Sequence, residues 1–151
     1  MTKTALILFA HGARDPEWAS PLRRVFSAVR AQSPELRVEA AFLEFMTPNL
    51  RESVESLVGE GFERIVVLPM FMAQGGHLKR DVPLLLDELR ALHPLVRFEQ
   101  TCPVGEAESI VQAMAAHVLA LAAVEPADSD DQSVVDQSPV GLKAWDRRQQ
   151  V

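Results

Sequence analysis

The chain of 151 residues has one cysteine, no long apolar run and few basic residues. The single Cys102 excludes a disulfide framework and a metal site built from paired cysteines, and it fits a reducing compartment. The longest apolar stretches, Ile65–Ala73 and Ala113–Val124, are shorter than the roughly 20 residues that a membrane span needs. We therefore expect a cytoplasmic protein with no membrane partner.

The charge balance and the absent motifs exclude several function classes. The net charge is -6, whereas a nucleic-acid partner would require a broad basic face. Neither GxGxxG nor GxxxxGK[ST] occurs, so we expect no nucleotide cofactor. A serine hydrolase would need a GxSxG elbow, which is absent, and a histidine phosphatase would need RHG where Ala10-His11-Gly12 stands.

Composition divides the chain near residue 124. Residues 125–151 are rich in Asp, Ser, Gln and Pro and show no sustained apolar period, which predicts a disordered acidic tail. A short docking segment around Trp145 is the alternative for this tail. Residues 1–124 carry 15 acids and 12 bases and form one predicted α/β domain.

Within residues 1–124, continuous apolar runs alternate with segments of helical period, which is typical of βα units around a parallel sheet. The predicted strands are Ala5–Ala10, Val38–Leu43, Arg64–Pro69 and Val96–Thr101. Each is followed by a predicted helix. We expect a four-stranded parallel sheet with flanking helices and a ligand crevice at the carboxyl ends of the strands.

Helix starts are predicted from capping residues followed by proline. Asp15-Pro16 or Ser20-Pro21 opens the first helix and Thr47-Pro48 the second. The third helix is predicted to begin near Asp81, and the fourth near Glu106.

Three side chains with metal-binding or acid-base chemistry lie at the predicted strand ends. His11 ends the first strand, Glu44 ends the second, and His77 lies in the loop after the third. Two imidazoles and a carboxylate suit Co²⁺, Fe²⁺, Ni²⁺ or Zn²⁺. Each residue alone also has a structural interpretation, as a strand cap, an ion-pair partner or a solvated loop residue. Their occurrence at equivalent strand ends favours a shared metal or catalytic site.

The neighbouring residues add to this picture. Gly75 and Gly76 precede His77 and allow the backbone to approach a ligand closely. His93 and His117 are interpreted as structural or solvated. Cys102 ends the fourth strand and could approach the site, although a lone cysteine is more often a small buried hydrophobe.

Three segments carry a resemblance to a known family. They are HGARDP at His11–Pro16, FLE at Phe42–Glu44 followed by Thr47-Pro48, and GGHLKRDVP at Gly75–Pro83. In this order they resemble the short CbiX-type class II tetrapyrrole chelatases, over about residues 4–122. Ala13 stands where many relatives have serine, and the acidic tail has no counterpart in the resemblance.

The resemblance implies one lobe of the class II chelatase fold and ATP-independent insertion of a divalent metal into sirohydrochlorin. Co²⁺, for cobalamin biosynthesis, is the favoured metal, and Ni²⁺ or Fe²⁺ are the alternatives. His11, Glu44 and His77 are the expected metal ligands and catalytic residues, with Glu44 either a ligand or a proton acceptor. Arg14, Lys79 and Arg80 lie near them and are the expected partners of the substrate's eight carboxylates, with plain solvated charges as the alternative.

Family members with two fused lobes bind the ring between them, so a single lobe implies a homodimer. The apolar residues near the strand ends are candidates for contact with the ring: Leu8, Phe9, Met70, Phe71 and Met72. For Leu8 and Phe9, core packing is the expected role. A metal- or tetrapyrrole-binding protein without catalysis is the non-enzymatic alternative.

Overall fold

The computed structural model describes residues 1–124, apart from the side chain of His77. Four strands alternate with four helices: β1 (Thr4–Ala10), α1 (Ser20–Gln32), β2 (Arg37–Phe42), α2 (Leu50–Gly59), β3 (Arg64–Pro69), α3 (Gly76–Leu92), β4 (Arg97–Gln100) and α4 (Glu108–Ala123). All strand pairs are parallel, in the order β2-β1-β3-β4. The predicted α/β class and four-stranded parallel sheet are confirmed. The predicted tail, residues 125–151, lies outside the described residues.

The two central strands are apolar because helices cover both of their faces. Alternate residues of β1 point to opposite faces, since side chains alternate along a strand. Ile7 and Phe9 belong to a large core cluster with residues of α2 and α3, whereas Leu8 and Ala10 join a smaller cluster that includes Leu22 of α1. This packing places β1 in the middle of the domain, and its carboxyl end in the middle of one sheet edge.

The helix starts show how far local sequence determines structure. Asp15 and Pro16 do begin a helical segment, but it is a 3-10 turn, Pro16–Ala19, in which the Asp15 side chain accepts a hydrogen bond from the Glu17 amide. α1 then begins at Ser20. The prediction that Thr47-Pro48 opens α2 was two residues early. Asn49 is the cap, because its side chain and that of Glu52 form a reciprocal capping box.

The predicted start of α3 near Asp81 was wrong. The helix begins at Gly76, and the Lys79 amide donates to the Gly75 carbonyl at 3.1 Å, which closes its first turn. Pro83 lies inside the helix instead of marking its start. Aspartate followed two residues later by proline resembled a helix start, but the chain is already helical there, so His77 lies in the first turn of α3 and not in the preceding loop.

α4 is apolar along most of its length, yet none of its residues is fully buried. The chain divides into two units, Met1–His117 and the part from Val118 onward, and α4 contains the boundary. In the first unit, Ile110 and Met114 are half-buried. In the second, Leu119 is 71% exposed. None of the described helices is long and apolar enough to cross a membrane.

An ion pair joins the two strands at one side of the sheet. Arg64 of β3 donates two hydrogen bonds to the Glu99 carboxylate of β4, at 3.0 and 2.7 Å. These bonds lower the pKa of Glu99 below its ordinary value and raise that of Arg64. Arg97 adds a contact of 2.7 Å to the same carboxylate.

Candidate functional site at the carboxyl edge of the sheet

The side chains of His11 and Glu44 meet directly beyond the ends of β1 and β2. The ladder between the strands continues past them, because the Leu43 amide donates to the Ala10 carbonyl at 2.9 Å and the Glu44 amide donates to the His11 carbonyl at 3.0 Å. The two backbones are therefore joined at the site itself. His11 Nε2 lies 3.3 Å from Glu44 Oε1, and both side chains are 49% exposed. The predicted proximity of these two residues is thus present in the structure.

The other imidazole nitrogen indicates how His11 can act. Nδ1 lies 3.1 Å from the Gly12 carbonyl oxygen, which only accepts hydrogen bonds, so Nδ1 is assigned as the protonated nitrogen. In the neutral ring this leaves a lone pair on Nε2, directed at the Glu44 carboxylate. Two acceptors facing each other require a proton or a cation between them. Histidines that bind metals commonly donate their other ring N–H to a backbone carbonyl in this way.

The separation of these two atoms fits shared coordination of one ion. Ligands about 2.1 Å from a metal, at angles from octahedral to tetrahedral, lie about 3.0–3.4 Å from each other. The 3.3 Å between Nε2 and Oε1 is inside this interval. Among the described side chains no group of three His, Cys, Asp or Glu residues forms a metal site, so His11 and Glu44 supply at most two of the ligands.

Gly12 allows the two loops to approach this closely. Its φ is +90°, a backbone conformation that residues with a Cβ atom rarely adopt. A Cβ atom at this position would also lie closer than 3.0 Å to the Glu44 carbonyl oxygen. The glycine of the HGAR motif is therefore required by contact with the next loop. The sequence singled out His11 but offered no reason for Gly12, because its neighbour is 32 residues away in the chain.

The loop after β2 reverses sharply. While the Glu44 amide stays bonded to the His11 carbonyl, the Phe42 amide donates to the Pro48 carbonyl on the far side of the loop, at 2.9 Å. Phe45 lies at the bend with a positive φ of 65°. Its ring is 55% exposed, and the Arg14 guanidinium carbon lies 5.1 Å from the ring centroid. Sequence reasoning assigned no role to Phe45.

The third predicted ligand, His77, follows β3 and lies in the first turn of α3. Its backbone therefore belongs to the same carboxyl edge, and its side chain is outside the described part of the structure. Lys79 and Arg80 follow in the same helix and are exposed. Whether His77 shares an ion with His11 and Glu44 stays a prediction.

The apolar residues near this edge divide into core and surface. Leu8 and Phe9 are buried, as expected for core positions, and Phe71 packs edge-on against Phe9 with ring centroids 6.2 Å apart. Met72 is 66% exposed. Its backbone lies so close to Gly105 that a Cβ atom there would overlap it.

The remaining candidates lie in less distinctive positions. His93 is the C-terminal cap of α3, and His117 is exposed on α4. The interpretation of Cys102 as a buried hydrophobe was wrong, because Cys102 is exposed. It lies between β4 and Pro103, which is the N-terminal cap of a 3-10 turn at Val104–Glu106.

A separate groove, of about 540 Å³, is not the candidate site. It lies between α1 and the outer edge of β2 and is lined by three arginines. Of these, Arg37 is already paired with Glu39 at 2.5 Å and Glu60 at 2.9 Å. The groove contains neither His11 nor Glu44. The donor set of His11 and Glu44 therefore favours the carboxyl edge of the sheet over this groove.

Comparisons with known proteins indicate the family of this chain. The CbiX family model matches residues 5–120. The sirohydrochlorin cobaltochelatase of Priestia megaterium is 30% identical over 109 residues, which are 72% of this chain and 35% of that protein. The protein of the same name from Saccharolobus islandicus (strain L.S.2.15 / Lassen #1) is 39% identical over 88 residues, or 54% of this chain and 62% of that one. The chain spans between about a third and three fifths of these relatives.

Solved structures show the same fold. A cobalamin (vitamin B12) biosynthesis CbiX protein from Marinobacter aquaeolei VT8 superimposes with a TM-score of 0.68 at 27% identity, over 80% of this chain and 98% of that one. The sirohydrochlorin chelatase SirB from Bacillus subtilis subspecies spizizenii, solved with cobalt, has a TM-score of 0.66 at 24% identity, over 80% of this chain and 52% of SirB. Because the family model covers most of its length, the chain belongs to the CbiX family.

Proposed function

We propose that this protein inserts a divalent metal ion, Co²⁺ in the favoured case, into sirohydrochlorin without a nucleotide, in the cytoplasm. The pairing of His11 Nε2 with Glu44 Oε1 carries the proposal, because these two potential metal ligands lie 3.3 Å apart, the spacing of two ligands on one ion. The relatives named sirohydrochlorin cobaltochelatase support the choice of metal and macrocycle.

The chemistry of insertion matches the two side chains. A divalent ion replaces the two pyrrole N–H protons of the macrocycle, so two protons must leave for each ion inserted. Neutral His11 holds the incoming ion through its Nε2 lone pair, and Glu44 is the second ligand. As the ion passes to the ring nitrogens, both groups are freed and accept the released protons. Their half-exposed position lets these protons pass on to solvent.

His77 is proposed as the third ligand, contributed by the first turn of α3. The ends of β1, β2 and β3 are neighbours in the sheet, which supports a common site for the three residues. Lys79 and Arg80, exposed on the same helix, and Arg14 after β1 are proposed to bind carboxylates of the macrocycle. They provide the local positive charge that an acidic protein needs for a polyanionic substrate.

We further propose that the protein works as a homodimer. The chain covers 52% of SirB, so one copy supplies about half of such a molecule. Both described parts of α4 carry exposed apolar side chains, including Val111 at 39% and Leu119 at 71%. Burial of such side chains against a second copy would stabilise a dimer. Sedimentation of the full chain should give twice the mass in the sequence, and a monomer that retains full insertion activity would overturn this proposal.

An insertion assay tests the main proposal. The full chain is mixed with metal-free sirohydrochlorin and Co²⁺, Ni²⁺ or Fe²⁺ in separate reactions, and metallation is followed by absorbance. Co²⁺ should be inserted fastest over the spontaneous rate, and His11→Ala and His77→Ala should lose most of the activity. His93→Ala and His117→Ala are matched controls that should retain it. Tetrapyrrole binding without faster metallation by any of the three ions would instead indicate a delivery protein.

A further inference from the structure

Phe45 combines two unfavourable features next to the proposed metal ligands. Its φ of 65° is a left-handed conformation that a bulky aromatic residue rarely adopts. Its ring is also 55% exposed to solvent. Glycine or asparagine would adopt this backbone conformation at lower cost, and a polar side chain would suit the exposure. The fold alone gives no reason for an aromatic residue here.

The hydrogen bonds of the loop explain why the ring lies at this place. The Glu44 amide is bonded to His11 and the Pro48 carbonyl accepts from Phe42, so the chain must reverse within the residues between them. Phe45 follows Glu44 directly and takes the positive φ. The reversal leaves its ring exposed to solvent.

The ring is in contact with one cation. The guanidinium of Arg14 lies over it at 5.1 Å, within the range of a cation–π interaction. Within residues 1–124, no carboxylate forms an ion pair with Arg14, and its N–H groups donate to no other group. The face of the Arg14 guanidinium thus contacts the Phe45 ring, while the N–H donors at its edge stay available to bind a ligand.

A cavity of about 350 Å³ opens beside these two residues. Its walls come from the loops after β1 and β2, which are the loops that present His11 and Glu44. The lining residues are Ala13, Arg14, Pro16, Phe45, Met46 and Thr47. Arg14 is its one charged lining residue, and this cavity would suit a short carboxylate arm with an apolar stem.

We propose that this cavity is a subsite for one carboxylate arm of the macrocycle, in which Arg14 binds the carboxylate and Phe45 is the residue that positions Arg14. The inference rests on the proposed function, since it takes a tetrapyrrole carrying carboxylates as the ligand. A planar guanidinium offers two parallel N–H donors to a carboxylate, which fixes orientation as well as charge. Binding here would set the rotation of the ring over His11 and Glu44.

Binding of metal-free sirohydrochlorin, followed by absorbance titration, tests the subsite independently of turnover. Arg14→Gln should raise the dissociation constant about tenfold or more, the loss expected for a hydrogen-bonded charge. Phe45→Gly should raise it about three- to tenfold, and Phe45→Trp should restore binding to within about twofold, because tryptophan offers a stronger cation–π face. Leu95→Ala, at an exposed apolar residue before β4, is the control and should leave binding unchanged.

Two further measurements separate positioning from a purely structural role. Phe45→Gly should melt no lower than the parent chain, because glycine relieves the left-handed backbone. The double variant of Arg14→Gln and Phe45→Gly should bind as Arg14→Gln alone does, since Phe45 acts through Arg14. Additive losses in the double variant, or a lower melting temperature of Phe45→Gly with unchanged binding, would overturn the assignment.

The same titration distinguishes this inference from the proposed function. If the parent chain binds sirohydrochlorin with the predicted dependence on Arg14 but inserts no metal, the proposed function fails and the subsite stands. If the parent chain inserts cobalt and Arg14→Gln binds sirohydrochlorin normally, the subsite fails and the proposed function stands.

Discussion

Gly12→Ala is a direct test of how the sheet edge is built. The substitution adds one methyl group at a residue with φ of +90°, and that methyl would lie closer than 3.0 Å to the Glu44 carbonyl oxygen. Because the contact is with backbone, neither side can yield by rotating a side chain. The loop carrying Glu44 must move away from β1, and the 3.0 Å hydrogen bond from the Glu44 amide to the His11 carbonyl must lengthen.

Two terms set the size of the effect. A left-handed conformation costs a residue with a Cβ about 1–2 kcal/mol, and forcing extra volume into a packed position costs about 1–3 kcal/mol. Gly12→Ala should therefore lower the free energy of unfolding by about 2–5 kcal/mol. Gly61 has a similar φ of +81° and open space around its Cβ position, so Gly61→Ala should lose only the first term, about 1–2 kcal/mol.

Urea unfolding followed by circular dichroism measures both variants against Gly59→Ala. Gly59 is helical with no close neighbour, and alanine there should be neutral or stabilise by up to about 1 kcal/mol. Cobalt affinity should fall in Gly12→Ala and stay unchanged in Gly61→Ala, because only the first moves Glu44. If the unfolding free energies of these two variants agree within about 0.5 kcal/mol and their cobalt affinities match, the close approach of the two loops is refuted.

Three further predictions concern other parts of the chain. Deletion of residues 126–151 should leave thermal stability and insertion activity nearly unchanged, since the family match ends at residue 120; a large fall in melting temperature would contradict this. Arg64 lowers the pKa of Glu99, so this pair should stabilise the fold fully above the pKa of an unfolded glutamate, about 4.3, and lose its contribution as the pH falls through the lower folded pKa. Glu99→Gln should therefore make the urea midpoint of unfolding depend less on pH between pH 3 and 7. A pH dependence equal to that of the parent chain would count against the pair. Gly105→Ala should displace the Met72 backbone and lower the melting temperature. A variant that melts like the parent chain would show that Gly105 and the Met72 backbone are not in close contact.

The two central strands, β1 and β3, could be predicted from the sequence because their apolar runs are nearly uninterrupted. β3 begins and ends where the pattern placed it, and β1 begins one residue earlier than predicted. The ends of the helices were less predictable, since they depend on which side chains cap the backbone. α2 begins after the capping box of Asn49 and Glu52 and not at Thr47-Pro48, where the proline predicted its start. α3 begins at Gly76, although Gly75 and Gly76 are two consecutive glycines.

The site was predictable only where chemistry and strand ends coincide. His11 and Glu44 were found because parallel strands bring their carboxyl ends to one edge, whatever the intervening sequence. Gly12 and Phe45 were missed as contributors, because their roles come from contacts between two loops. A positive φ at an aromatic residue leaves no signal in the sequence, and only the structure shows Arg14 over its ring.

Coordination of cobalt by the full chain is the most direct test of the central claim that His11, Glu44 and His77 share one metal ion. X-ray absorption of the protein loaded with one equivalent of Co²⁺ counts the imidazole ligands. We expect two imidazoles in the parent chain, one in His11→Ala and one in His77→Ala, with two retained in His117→Ala. A spectrum of the parent chain that is unchanged in His11→Ala would contradict it.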